Sequence, residues 1–237
     1  MAALVAKDVL KRVRTILQDA GNVRWTLSEL VDGLNDGLLE ICFIKPSAMS
    51  QTTVLLMDEG TYQSLDPAHT QLLRVTRNIT SAVGVTPRVS GPVITPIERE
   101  ILDQQIEGWH DTAIVPFSAT VRHVITDNLS PREFYVFPGN DGTGAIEAVV
   151  AVEPSKIQTP NDPLDIDQYT SEIDISPVYQ SVLIDYMLYR AFSKDMQMAG
   201  SAQRAMAHYQ NFNNALGARR QIEGLANPDT TQSQPNS

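Results

Sequence analysis

Hydrophobic periodicity changes twice along this chain, and that double change restricts its folds more than any other feature. The period is helical near the N-terminus, strand-like through the middle and helical again toward the C-terminus. Leu4, Val9, Val13, Ile16 and Leu17 recur at helical spacing, with Lys7, Lys11, Arg12 and Arg14 largely on the other faces. Asp19-Ala20-Gly21-Asn22 closes that helix. Thr26-Leu27-Ser28-Glu29 then reads as a capping box, in which the Thr26 hydroxyl accepts from the Glu29 amide while Glu29 reaches back. Leu27, Leu30, Val31, Leu34, Leu38 and Ile41 follow as an apolar stripe until Pro46 stops it. The two helices, joined by a short turn, are expected to pack as an antiparallel pair.

From Thr52 to about Ile175 the signals are those of short strands and turns. Thr53 to Met57 and Leu72 to Val75 are strand-like, and Gly60, Asp66-Pro67 and Gly84 punctuate them. Pro96 is placed to open a short helix through Ile101, with Ile97, Ile101 and Leu102 inward. Phe134-Tyr135-Val136-Phe137 reads as a strand, Gly139-Asn140-Asp141-Gly142 as a hairpin turn and Ala145 to Val152 as the returning strand.

Helical period resumes at Ser176, a cap, with Pro177 in the first helical position. Val178, Val182, Tyr186, Tyr189 and Phe192 mark one face of this helix. A further helix is expected from about Gly200 to Leu216, with Ala202, Ala205, Met206, Tyr209, Phe212 and Leu216 on one side and Gly217 as its C-terminal stop. Asn227 to Ser237 is rich in Pro, Gln, Ser, Asn and Thr and too polar to build a core. The expected fold is therefore α+β. It is a four-helix bundle with an antiparallel β module inserted between helices 2 and 3, plus an extended C-terminal tail. The divisions fall at residues 1–50, 51–175, 176–217 and 218–237.

Composition narrows the function. The 237 residues are 42% hydrophobic, enough for one sizeable core or a core with a smaller module. Eighteen Lys and Arg stand against 28 Asp and Glu, a net charge of -10, which argues against free nucleic-acid binding because phosphate contacts need a basic face. The single cysteine, Cys42, lies in an apolar helical pattern and reads as a small buried hydrophobe, so a reducing compartment suits the chain. Met1 to Leu10 lacks a signal-peptide core, and no run reaches the ~20 apolar residues that span a bilayer. No membrane association is expected.

Catalytic patterns are missing. His69, His110, His123 and His208 fall in neither an HExxH nor a zinc spacing, and there is no GxSxG, Walker or GxGxxG motif. No cofactor is expected, and an enzymatic role has no nucleophile–base constellation to rest on. Asp162, Asp165 and Asp167 cluster before the third bundle helix, but without the spacing and glycine of an EF-hand they read as a solvated acidic loop. The wider span Asp141 to Asp174 holds eight acidic residues against Lys156 alone. It is either a wet surface or a channel wall whose repulsion keeps DNA from sticking. Trp109, in a polar stretch, is either a core anchor of the β module or an intersubunit contact. The basic face of the first helix is either solvated or pairs with the acidic span of a neighbouring copy.

Leu17-Gln18-Asp19, Val23-Arg24-Trp25, Glu29-Leu30, Leu34-Asn35-Asp36-Gly37, Glu40-Ile41 and Lys45-Pro46 together resemble the start of tailed-bacteriophage head-to-tail adaptors. Phe134 to Pro138, Tyr189 to Asp195 and Ala205 to Leu216 resemble the family's strand and C-terminal helical signature, so the likeness runs from Leu17 to Gly217. Such adaptors are similar in organisation to the tail tubular protein A type, a helical bundle plus a β module. The resemblance implies a dodecameric homo-oligomeric ring in the virion neck, between the portal and the tail tube or nozzle, with DNA only as passing cargo and no catalytic residues. Another neck component, such as a stopper or tail-completion protein, is the alternative. On this reading Arg219, Arg220, Leu225, Pro228 and Pro235 belong to the portal interface. Lys11, Arg14 and Trp109 belong to the contact between copies, and Asp162, Asp165 and Asp167 face the channel.

Overall fold

A computed structural model describes residues 3–226 apart from Val83, Asn128 and Met196, and for residues 220 and 223–226 it describes the backbone alone. The elements follow in the order β1 (Leu4–Val5), α1 (Ala6–Leu17), α2 (Leu27–Ile44), β2 (Ser50–Leu56), β3 (Glu59–Ser64), β4 (His69–Ile79), β5 (Ser90–Val93) and β6 (Thr95–Pro96). Then come α3 (Arg99–Gln105), β7 (His123–Thr126), β8 (Glu133–Asp141), β9 (Ala145–Val152), β10 (Glu172–Ile173), α4 (Gln180–Lys194) and α5 (Ser201–Ala226). The fold is mixed α+β. Its contacts separate into two compact units, one made of residues 1–48 and 154–237, the other of Met49–Glu153.

In the helical unit, each helix end has a local cause. Helix α1 carries Asp8 in its first turn and Arg14 in its last, each charge opposing the helix dipole. It stops at Gln18, whose φ of 58° is left-handed. Both oxygens of Asp19 then collect the next free amides, accepting from Val23 at 3.0 Å, Arg24 at 2.9 Å and Trp25 at 2.9 Å. The expected capping box is present at the start of α2: Thr26 accepts from the Glu29 amide and Glu29 accepts from the Thr26 amide.

Packing centres on α4, which buries residues all round its axis, among them Val182, Leu183, Tyr186, Met187, Ala191 and Phe192. Helices α1 and α2 each pack more on α4 than on one another, which departs from the expected antiparallel pair. The reason lies in α2, whose apolar residues are too many for one face. Residues 154–175 hold to the helices by backbone bonds. Strand β10 pairs with β1, and Asn35 on α2, buried, accepts from the Ile157 amide at 2.8 Å and donates to its carbonyl at 3.0 Å. Helix α5 runs to Ala226, through Gly217, where the expected stop was placed; no atom crowds that glycine, and the backbone stays helical. Ser176 makes no side-chain cap, and Pro177–Tyr179 form a 3-10 turn ahead of α4.

Gly37 lets α2 approach α4 closely. A Cβ there would lie 2.8 Å from Leu183 Cδ1 and 2.9 Å from Tyr186 Cδ1, whereas one at Gly33 would meet nothing. Gly37→Val is therefore expected to destabilise the helical unit by about 2 kcal/mol through overpacking. Gly33→Ala is expected to stabilise it by up to about 1 kcal/mol through helix propensity. Thermal unfolding followed by the emission of Trp25 checks both signs.

The β unit is built from two four-stranded sheets, ordered β2-β9-β4-β5 and β3-β8-β7-β6. Alternate residues from both, including Leu72, Val75, Phe134, Val136, Ile146 and Val150, meet in one core. The other face of the second sheet is covered by α3 and the loop after it, through Leu102, Trp109 and Ile125. Two expectations change. Pro96 belongs to β6, which pairs parallel with β7 across the α3 excursion, so the module is not wholly antiparallel; Ile101 on the short helix is exposed. Gly139 to Gly142 is not a hairpin turn, since β8 and β9 belong to different sheets and the chain turns a corner between them.

Asn140 holds that corner. Fully buried, it accepts from the amides of Gly142 at 2.9 Å and Gly144 at 3.1 Å, and donates to the carbonyls of Ser118 at 3.2 Å and Ala119 at 3.3 Å. Gly142 has φ of 82°, and any side chain at Gly144 would collide with the Ala119 carbonyl.

Candidate docking surfaces

Among the described residues, no three His, Cys, Asp or Glu side chains stand close enough to share a metal, and no helix is long and apolar enough to cross a membrane. A groove of about 240 Å³ runs between α2 and α4, lined by Trp25, Leu30, Gly33 and Met187 and flanked by ion pairs. Glu29 meets Lys194 at 2.6 Å and Asp36 meets Arg190 at 3.1 Å. The groove is smaller than the ~300 Å³ at which small-molecule sites begin. The bond from Lys194 holds the Glu29 carboxyl below its ordinary range.

Candidate residues from the sequence fall in several places. Arg219 is engaged inside its own unit: its guanidinium lies 4.6 Å from the Tyr179 ring centre and donates to the Val178 carbonyl at 2.6 Å. That contact ties α5 to the start of α4. Arg220 and Leu225 sit on the last turns of α5, their side chains outside the described residues, as are Pro228 and Pro235 altogether. Lys11 bonds Asp167 at 2.7 Å in the same chain. The Lys11 ammonium holds the Asp167 carboxyl below its ordinary range, with help from the charges of Lys7 and Arg14. Both partners are well exposed, so the pair adds little stability.

Asp162 and Asp165 cap local turns, accepting from the amides of Leu164 at 3.0 Å and Asp167 at 2.9 Å. The eight-acid span is also divided. Asp141 and Glu147 lie in the β unit, where Glu147 is bound by Arg77 and Arg88, each at 3.1 Å; Asp162, Asp165 and Asp167 lie in the helical unit.

Trp109 is 1% exposed. Its indole donates to Asp103 at 2.8 Å, stacks on His110 at 3.7 Å and meets the edges of Tyr135 and Phe137. It anchors the outer layer of the β unit. Burial, then the charge of Arg99, pushes the His110 ring below its ordinary pKa of 6.5.

The expected acid response follows. Burial disfavours the charged His110 ring in the fold, so its contribution is complete above the unfolded pKa and is lost as pH falls. In the helical unit, Glu29 is held down by its bond from Lys194 and Asp19 by its backbone amides, below ordinary values of 4.5 and 3.8. Those contributions are lost only at lower pH. Acidification from neutral to about pH 5 is expected to weaken the β unit first, measured as a falling urea midpoint of Trp109 emission while that of Trp25 holds. Simultaneous loss would contradict the assignment.

Sequence reading missed the surface of α2. Asp32, Asp36, Leu39, Glu40 and Phe43 form its outward stripe, with Phe43 83% exposed. The signal was available as apolar residues beyond the inward stripe. On α5, Met206 and Tyr209 also face outward, whereas Ala205, Phe212 and Leu216 turn in.

A family model described as SU10 adaptor protein matches residues 6–234. No curated protein matches the chain.

Proposed function

This chain belongs to the SU10 adaptor protein family, a family of bacteriophage structural adaptors, and from that premise we propose that it assembles as a closed ring in the virion neck. The ring docks on the portal, joins it to the tail tube or nozzle, and lets DNA pass through its lumen. The observation that carries this reading is the extent of the family match, which runs through both compact units. The helices act as the bundle that forms the ring wall, with residues 49–153 as an inserted β module.

Copies meet through helix faces left over from internal packing. The stripe Asp32, Asp36, Leu39, Glu40 and Phe43 suits this role, because α2 carries acids and no base, with Asp36 held by Arg190, while α1 carries four bases against Asp8 and exposes Arg12 and Ile16. Charge of opposite sign beside exposed apolar groups favours a head-to-tail contact between copies, which closes into a ring when its rotation allows.

Mass photometry tests the proposal. Species at multiples of the 26.1 kDa chain are expected, alone or on a purified portal. Monomer alone, with no shift on adding portal, overturns it. Phe43→Asp is expected to weaken self-association at least about tenfold without lowering the unfolding temperature, since the ring of Phe43 contributes nothing to the core.

A further inference from the structure

The two sheets of the β unit have four outer edges, and three are closed to further pairing. Strand β5 contains Gly91 and Pro92 and shifts register against β4; β6 is two residues long and ends in Pro96. Strand β3 begins at Glu59 and bulges after Gly60, whose φ is 119°. Proline, charge, bulges and shortness are the devices that stop an edge from recruiting another strand. The fourth edge has none of them. Strand β2, Ser50–Leu56, is seven residues long, uncharged, free of Gly and Pro, and in unbroken register with β9 from Ser50↔Ala151 to Leu56↔Ala145. Among the described residues no strand pairs with its other side. Ser50, Gln51, Thr52 and Leu56 are exposed there.

We propose that β2 accepts a fifth strand, and that the strand is residues 229–234 of a neighbouring copy. An edge of this kind takes an extended backbone, with main-chain hydrogen bonds supplying the affinity. The C-terminal segment has the matching form. Pro228 and Pro235 bound six residues that hold no Gly or Pro, one charge at Asp229, and the β-branched pair Thr230 and Thr231. Its length suits the seven-residue edge. The family match continues beyond α5 through Gln234, the last residue before Pro235. Only Asn227 and Pro228 join α5 to that stretch, so the pairing requires the end of one copy's α5 to come within about 10 Å of the β2 edge of the next. The adaptor resemblance assigns this arm to the portal; the open edge offers it a place inside the ring. This pairing presupposes the self-association proposed above.

Deuterium uptake of residues 50–56 in the assembled full chain, against a chain ending at Ala226, tests the pairing. Truncation is expected to speed exchange of alternate β2 amides at least about tenfold, and a synthetic 227–237 peptide is expected to restore protection. Equal uptake in the two chains overturns the proposal. Protection that appears only on adding portal also overturns it, by showing that the edge takes a foreign strand. Separate T52C and T231C preparations, mixed and oxidised, are expected to give a disulfide between unlike chains. A bond formed only within a T52C/T231C double variant places the strand in its own copy and overturns the exchange. Mass photometry of the same samples separates the two readings. Rings with unchanged β2 uptake sink the strand pairing alone, and monomers at every concentration sink self-association.

Discussion

Asn140→Ala is expected to cost the β unit about 3 to 5 kcal/mol, because it strands the Gly142 and Gly144 amides without an acceptor. It also removes the donor that satisfies the Ser118 and Ala119 carbonyls. Nothing nearby takes over, since Asn140 is wholly enclosed and the Gly144 backbone already lies against Ala119. Asn140→Asp keeps an acceptor for the two amides but turns a second oxygen on two carbonyls, so it is expected to be nearly as damaging. Urea unfolding followed by Trp109 emission, in a Trp25→Phe background, reads the β unit by itself, because each unit holds one tryptophan. If Asn140→Asp proves neutral, the amide donor has no part in the corner.

The second large effect belongs to Trp109. Trp109→Ala empties a fully enclosed site and is expected to cost about 3 to 5 kcal/mol. Its pattern differs from that of Asn140. Trp109 packs on the outer face of the β3-β8-β7-β6 sheet, away from the core between the sheets. Limited proteolysis is therefore expected to cut within residues 97–115 first, while β4 and β9 stay protected. Trp109→Phe keeps most of the apolar contact and forfeits the bond to Asp103, for a loss of about 1 kcal/mol. Uniform proteolysis of the whole unit by the alanine variant would show that the outer layer and the sandwich do not separate.

Elements with local signals were legible in the sequence. The Thr26–Glu29 capping box, the strand at Phe134 and the helical stretch from Val182 to Phe192 all rest on contacts or periods contained in a few residues. The corner at Asn140 was not legible, because Gly, Asn and Asp serve a hairpin and a sheet-to-sheet turn equally well. Only the partners of β8 and β9 distinguish the two, and those partners are far away in the chain. Strands β3 and β5 are polar, Gly-containing and short, so they leave little period to read. Helix α5 passed its expected stop since a glycine ends a helix only where the backbone turns left-handed, and Gly217 does not. For the docking surfaces, residue types alone marked Lys11, Asp165 and Asp167 as charged. They could not reveal that Lys11 and Asp167 satisfy one another, or that an uncharged strand such as β2 is the edge left open.

The helical unit is assembled from two separated pieces of chain, and this sets an order on its synthesis. A ribosome delivers α1 and α2 first, yet most of what they bury against is α4, made well over a hundred residues later. All of residues 49–153 emerge in between, with both sheets complete and no missing segment. The β unit is thus positioned to fold during translation, while the first two helices wait with their apolar stripes uncovered. During that interval Leu30, Leu34 and Leu38 have no α4 to pack against, and the core closes only when that helix arrives.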